Sequence, residues 1–133
     1  MHQGGCLCGR VRYVVTAAPS GTNYCHCSQC RKASGSAFAV NAGIARDAFR
    51  LTAGKGDLSY FESSPGKRRF FCGTCGSPIF SQAGPGTVYV RVGTLDDADA
   101  VTPDVHIHVA SKVTWFEIAD DLPRCEAEEG LWF

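Results

Sequence analysis

Apolar and polar positions alternate over short stretches, and breaks rich in glycine, proline and serine separate them. Val11, Tyr13 and Val15 fall on one face of an extended segment and Arg12 and Val14 on the other. That period of two marks a half-buried strand. Short runs of the same kind recur at 37–40, 49–52, 58–61, 78–81 and 88–92. Between them lie Pro19-Ser20-Gly21, Lys55-Gly56-Asp57, Ser63-Ser64-Pro65-Gly66 and Gly84-Pro85-Gly86, all with turn chemistry. Residues 105–109 alternate cleanly, which predicts a strand with His106 and His108 on one face and Val105, Ile107 and Val109 on the other. Lys67-Arg68-Arg69 opens a weakly alternating run and reads as a charged strand edge, a device that blocks edge-to-edge pairing. The stretch Asp120-Asp121-Leu122-Pro123-Arg124-Cys125 reads as irregular. One short helical turn is expected, with Ser28 as N-cap, 29–33 as its body and Gly35 as its end. The pattern predicts a mainly β fold of short antiparallel sheets in a single domain over 1–133.

Composition narrows the function classes. Thirteen basic and thirteen acidic residues balance to zero net charge over 133 residues. A neutral chain lacks the basic footprint of a nucleic-acid binder, and a zinc-ribbon role on nucleic acid is disfavoured with it. No apolar run has the length of a membrane span, and Met1-His2-Gln3-Gly4-Gly5 lacks the apolar core of a signal peptide. The expected compartment is the cytoplasm, where thiols stay reduced.

Eight cysteines then need an explanation. Seven come in tight groups: Cys6-x-Cys8, Cys25-x-Cys27-x-x-Cys30 and Cys72-x-x-Cys75. Cys125 stands alone. Disulfides fit poorly, because such close neighbours rarely bridge without strain. Metal ligation fits well. In an extended segment Cys6 and Cys8 project to one side, and Cys72-Gly73-Thr74-Cys75-Gly76 is a tight turn that brings two sulfurs to one ion. His26 points away from its flanking cysteines and is read as a non-ligand. The seven divide into a closed set (Cys6, Cys8, Cys72, Cys75) and an open set (Cys25, Cys27, Cys30). The alternative, in which Cys125, His106 or His108 closes the second set, stays open at this level. A closed four-sulfur zinc site is structural, whereas three protein ligands leave a position for water or substrate. Cys30 would sit in the first helical turn with Arg31 and Lys32 beside it, an environment that favours thiolate.

Gly5-Cys6-x-Cys8-Gly9, Cys25-His26-Cys27-Ser28-x-Cys30-Arg31-Lys32-x-x-Gly35 and Phe71-Cys72-x-x-Cys75-Gly76 together resemble the glutathione-dependent formaldehyde-activating enzyme family, also called the centromere-protein-V/GFA domain family. Val105-His106-Ile107-x-Val109-x-Ser111-Lys112, Trp115 and Asp121-Leu122-Pro123 add to the likeness, which spans nearly the whole chain. Cys125 departs from it, where relatives commonly carry a bulky residue. The resemblance implies a β-tent fold, a structural zinc on Cys6, Cys8, Cys72 and Cys75, and a catalytic zinc on Cys25, Cys27 and Cys30. It implies carbon–sulfur lyase chemistry on a thiol adduct, with glutathione as the small-molecule partner and formaldehyde as the electrophile. Arg31, Lys32 or Lys112 would hold the alkoxide or the substrate's carboxylates. The rival expectation is a non-catalytic, zinc-stabilised protein-binding module.

Overall fold

The computed structural model describes residues 1–127; the last six positions of the expected 1–133 domain lie outside the described residues. Ten strands build two sheets. The smaller has the order β1 (His2–Gly5), β2 (Arg12–Val15), β5 (Phe49–Ala53), all antiparallel. The larger runs β10 (Val105–Ile107), β3 (Ser20–Cys25), β4 (Ala39–Ala45), β9 (Thr87–Arg91), β8 (Pro78–Gln82), β7 (Lys67–Cys72), β6 (Leu58–Ser64). Its pairs are antiparallel except β10 with β3, which is parallel.

The alternation in β2 buries Val15 and Tyr13 between the sheets with Ile44, Phe49, Ile79, Val88 and Val90. The Tyr13 hydroxyl meets Thr94 Oγ1 at 2.7 Å, so the buried ring keeps a partner for its polar end. The opposite face of the large sheet carries a second, smaller cluster of Cys25, Cys30, Ala39, Val105 and Ile107, with Cys27 and Cys125 packed against it. The one α-helix among the described residues, α1 (Ser28–Ser34), lies on that side.

Four details depart from the sequence pattern. The N-cap of α1 is Cys27, whose sulfur accepts the Cys30 N–H at 3.3 Å, and Ser28 is the first helical residue. Gly35 ends the helix as expected. Lys67-Arg68-Arg69 lies in β7, which is paired on both sides, so it is no sheet edge; Arg69 is buried. The strand predicted over 105–109 stops at Ile107, because His108 takes a left-handed φ of 54° and ends the alternation. His106 and His108 therefore do not share a strand face. Finally, the segment around Pro123–Cys125 is ordered along β10: His106 N–H donates to Pro123 O, and Cys125 N–H to His106 O. An exposed strand edge has unpaired backbone groups, and this segment satisfies them.

Candidate metal centres and reaction cavity

Two cysteine groups form, each with its sulfurs within 4.8 Å of one another: Cys6, Cys8, Cys72 and Cys75, and Cys25, Cys27 and Cys30. All eight cysteines are free thiols.

The quartet joins two turns that are 64 residues apart in sequence at Cys8 and Cys72. Each turn ends on a glycine with positive φ, Gly9 at 82° and Gly76 at 81°, a conformation that a side chain would strain. Backbone donors point at the sulfurs. Val11 N–H reaches Cys6 Sγ at 3.2 Å, and Cys75 N–H reaches Cys72 Sγ at 3.5 Å. Ser77 bridges the turns, since its Oγ accepts Leu7 N–H and lies 3.2 Å from Cys75 Sγ. That contact draws the Cys75 thiol down to about 5. A soft, four-sulfur donor set with N–H···S support suits zinc.

The trio comes from three neighbouring pieces of backbone. Cys25 closes β3, Cys27 caps α1, and Cys30 sits in the first turn of α1. Cys25 and Cys27 Sγ are 3.4 Å apart. Among the described residues no fourth donor joins the group. Cys125 packs against it without its sulfur entering.

His26 is fully buried and turned away, as the extended backbone required. Its Nε2 lies 2.9 Å from His106 Nδ1, and His106 Nε2 lies 2.9 Å from Asp120 Oδ2. The Asp120 carboxylate accepts from His106 Nε2–H, so His106 Nδ1 accepts from His26 Nε2–H. For a neutral His106 this pattern assigns both tautomers. Burial, with the neighbouring His106, pushes His26 down to about 4. His106 also stacks on Tyr24, with centroids 4.5 Å apart. His106 is therefore a brace for the loop between Cys25 and Cys27.

A cavity of about 40 Å³ opens at the trio. Its walls include Asn23, Asn41, Ser81 and Arg91 beside the cysteines, with Lys67, Tyr89 and His108 also lining it. The large sheet aligns these residues by register: Asn23 pairs with Asn41, and Asn41 with Arg91, across β3, β4 and β9. On the next strands Arg69 pairs with Ser81, and Ser81 with Tyr89.

The cations at this site are not the expected ones. Lys112 Nζ donates to the carbonyls of Val113 and Phe116 at 2.9 and 2.6 Å. Lys32 is exposed, and neither it nor Arg31 lines the cavity. Two buried arginines stand there instead. Arg69 directs Nη1 and Nη2 at Cys30 Sγ from 3.8 and 3.9 Å. Arg91 donates to Asn41 Oδ1 at 2.7 Å. Hydrogen bonds from Cys25 and Cys27, together with the charges of Arg69 and Arg91, pull Cys30 far below the usual thiol range. Cys25 is pushed up, because Cys27 and Cys30 hold it as the protonated partner. Burial lowers Arg91 to about 10, which leaves it a cation at neutral pH. One signal for Arg91 was present in the sequence: a single charge within Val88-Tyr89-Val90-Arg91-Val92, where a buried charge needs a partner.

The sequence profile of the glutathione-dependent formaldehyde-activating enzyme family matches residues 1–111. The chain belongs to this family. A Halomonas elongata family member is 34% identical over 94% of this chain and 86% of its own length. A Penicillium rubens relative is 31% identical over 58% of this chain, a match that spans 40% of the relative. Both carry the provisional name glutathione-dependent formaldehyde-activating enzyme. A solved Rhodobacter sphaeroides protein aligns with a TM-score of 0.63 at 26% identity, covering 76% of this chain and 91% of that one. Family membership agrees with the mainly β architecture and with cysteine groups positioned for zinc.

Proposed function

We propose that the chain is a zinc-dependent carbon–sulfur lyase that joins a thiol such as glutathione to formaldehyde and reverses that step. In this reading one zinc sits on Cys6, Cys8, Cys72 and Cys75 and is structural. A second sits on Cys25, Cys27 and Cys30 and serves the reaction. The observation that carries the reading is a three-sulfur donor set opening into a cavity, with no fourth side-chain donor in its group among the described residues. Reduced cysteines suit a cytoplasmic setting. No helix among the described residues is long and apolar enough to cross a membrane.

Zinc held by the three sulfurs would supply a Lewis-acid position at which an incoming thiol binds as thiolate at neutral pH. The remaining work belongs to the chain. The Cys30 N–H and the Arg69 guanidinium orient the sulfurs. The His26–His106–Asp120 chain fixes the loop that carries Cys25 and Cys27. A cavity of about 40 Å³ has room for roughly three waters, at about 10–15 Å³ each. In this reading it takes the reacting S–C–O end of an adduct.

The test is magnetisation exchange between free thiol and hydroxymethyl adduct in mixtures of glutathione and formaldehyde. Zinc-loaded protein should accelerate the exchange, and Cys27→Ser should abolish the acceleration with its circular dichroism unchanged. A wild-type protein that accelerates exchange for no thiol–aldehyde pair would refute the reading. A binding-module role would then stand.

A further inference from the structure

The two buried guanidiniums differ in what they have already bonded. Arg69 is committed. Its Nε donates to Ser63 Oγ at 2.9 Å, its Nη2 to Gln29 Oε1 at 3.3 Å, and Nη1 and Nη2 both face Cys30 Sγ. It does not line the cavity. Arg91 does line it. Among the described residues one nitrogen, Nη1, makes both of its hydrogen bonds, to Asn41 Oδ1 at 2.7 Å and Tyr89 O at 3.2 Å. Arg91 has no carboxylate partner among the described residues.

Charge bookkeeping sharpens the contrast. Three thiolates around one divalent ion keep a single negative charge, which Arg69 faces directly. Arg91 adds a second buried cation, and the half-buried Lys67 a further positive charge at the wall. Among the described residues the site so assembled carries excess positive charge. A buried cation without a counter-charge is costly, so the arrangement favours a ligand that arrives with negative charge or develops it.

The neighbours of Arg91 hold it still. Asn41 Nδ2 donates to Asn23 Oδ1 at 3.3 Å, and Asn23 Nδ2 donates to Gly21 O at 3.0 Å. Asn23, Asn41 and Arg91 stand in register on three adjacent strands. The amide orientations leave Asn41 Oδ1 facing Arg91, so the ladder accepts from the guanidinium without neutralising it. A preorganised, uncancelled donor at a small cavity is the arrangement that stabilises an oxyanion.

We propose that Arg91 is the oxyanion-holding residue of this site, donating to the oxygen of the S–CH₂–O⁻ adduct, with Asn41 and Asn23 as its positioning residues. The assignment presupposes the carbon–sulfur chemistry proposed above. In the forward step the thiolate sulfur bonds to the aldehyde carbon, and the C=O π pair moves to oxygen. The charge lost at sulfur reappears at that oxygen beside Arg91, and a proton from water completes the hydroxymethyl product. Nothing is oxidised or reduced.

Formate, a one-carbon oxyanion small enough for the cavity, is the probe. Its binding to the zinc-loaded protein is measured by calorimetry, and the exchange rate is measured alongside. Arg91→Gln should weaken formate by about 10–100-fold, the range for a charge-assisted hydrogen bond. It should lower kcat on the order of 10²–10³-fold with little change in KM. Asn41→Asp places a carboxylate against the same guanidinium at nearly constant shape, and it should reproduce both losses. It keeps the question decidable if Arg91→Gln does not fold. Formate affinity and kcat that both survive Arg91→Gln or Asn41→Asp would overturn the assignment and leave the lyase reading in place. Arg91-dependent formate binding in a wild-type protein that accelerates no exchange would sink the lyase reading and uphold Arg91 as the anion-holding residue.

Discussion

Two cysteine groups in one small protein are built from similar turns and surrounded differently. In the quartet, Cys72-x-x-Cys75 folds its own N–H back on the first sulfur. In the trio, Cys27-x-x-Cys30 does the same. The local sequence device is shared. The quartet recruits its other sulfurs from a distant turn, and its further support comes from backbone N–H groups and Ser77. The trio recruits only Cys25, and its remaining side faces a cavity with buried arginines nearby. A closed donor set that spans the chain holds architecture together. In the proposed reading, an open one beside uncancelled positive charge holds a ligand. The environment, more than the ligating residue type, separates the two roles.

Breaking one ligand in each group separates the roles most strongly. Cys72 is completely buried and joins the turn to the core. Cys72→Ser should cost most of the metal-linked folding energy, which for structural zinc sites is on the order of 10 kcal/mol, and leave the chain unfolded by circular dichroism. Cys27→Ser should remain folded, lose about half of the bound zinc and show no turnover.

Arg69→Gln probes the trio's surroundings with its ligands intact. Loss of a partner behind a ligand typically weakens metal binding 10–100-fold. Zinc at the trio should therefore pass to a competing chelator at correspondingly lower chelator concentration, while the quartet's zinc stays. His106→Ala removes the partner of His26 Nε2 and the group joining it to Asp120. An unsatisfied buried donor costs roughly 1–3 kcal/mol, so the urea midpoint should fall, with turnover reduced because the Cys25–Cys27 loop loosens.

The smallest effect belongs to an exposed ion pair beside the quartet's first turn. The Arg12 guanidinium holds Asp96 below the usual carboxylate range. A lowered folded-state pKa gives stability that is present above the unfolded-state value and disappears as pH falls through the folded value. Asp96→Asn should lower Tm slightly at pH 7, and the gap from wild type should close in strong acid. The pair is exposed, so the gap is small at any pH.

Much of this was readable in the sequence because it is local. Cysteine spacing divides the thiols into the two groups that the structure brings together, and glycines mark the turns after Cys8 and Cys75. The alternation of Val11, Tyr13 and Val15 places the core face. The parallel β10–β3 pair was hidden, since strand partners far apart leave no mark in a period-two pattern. His108 carries no glycine-like signal for its positive φ, so the strand seemed to continue. Arg69 read as surface because a run of cations usually is. Only the pairing of β7 on both sides buries it, and only cross-strand register brings Asn23, Asn41 and Arg91 into line. Sites assembled across strands are invisible to rules that compare near neighbours.

The most direct measurement follows zinc release from the wild-type protein into increasing chelator, with circular dichroism recorded on the same sample. Two zinc ions per chain are expected, one for each cysteine group. The first should leave with the fold unchanged and turnover lost, and the second should leave together with the fold. Release of both ions in one step with unfolding, or turnover that persists after the first has gone, would contradict the division between a closed clamp and an open site.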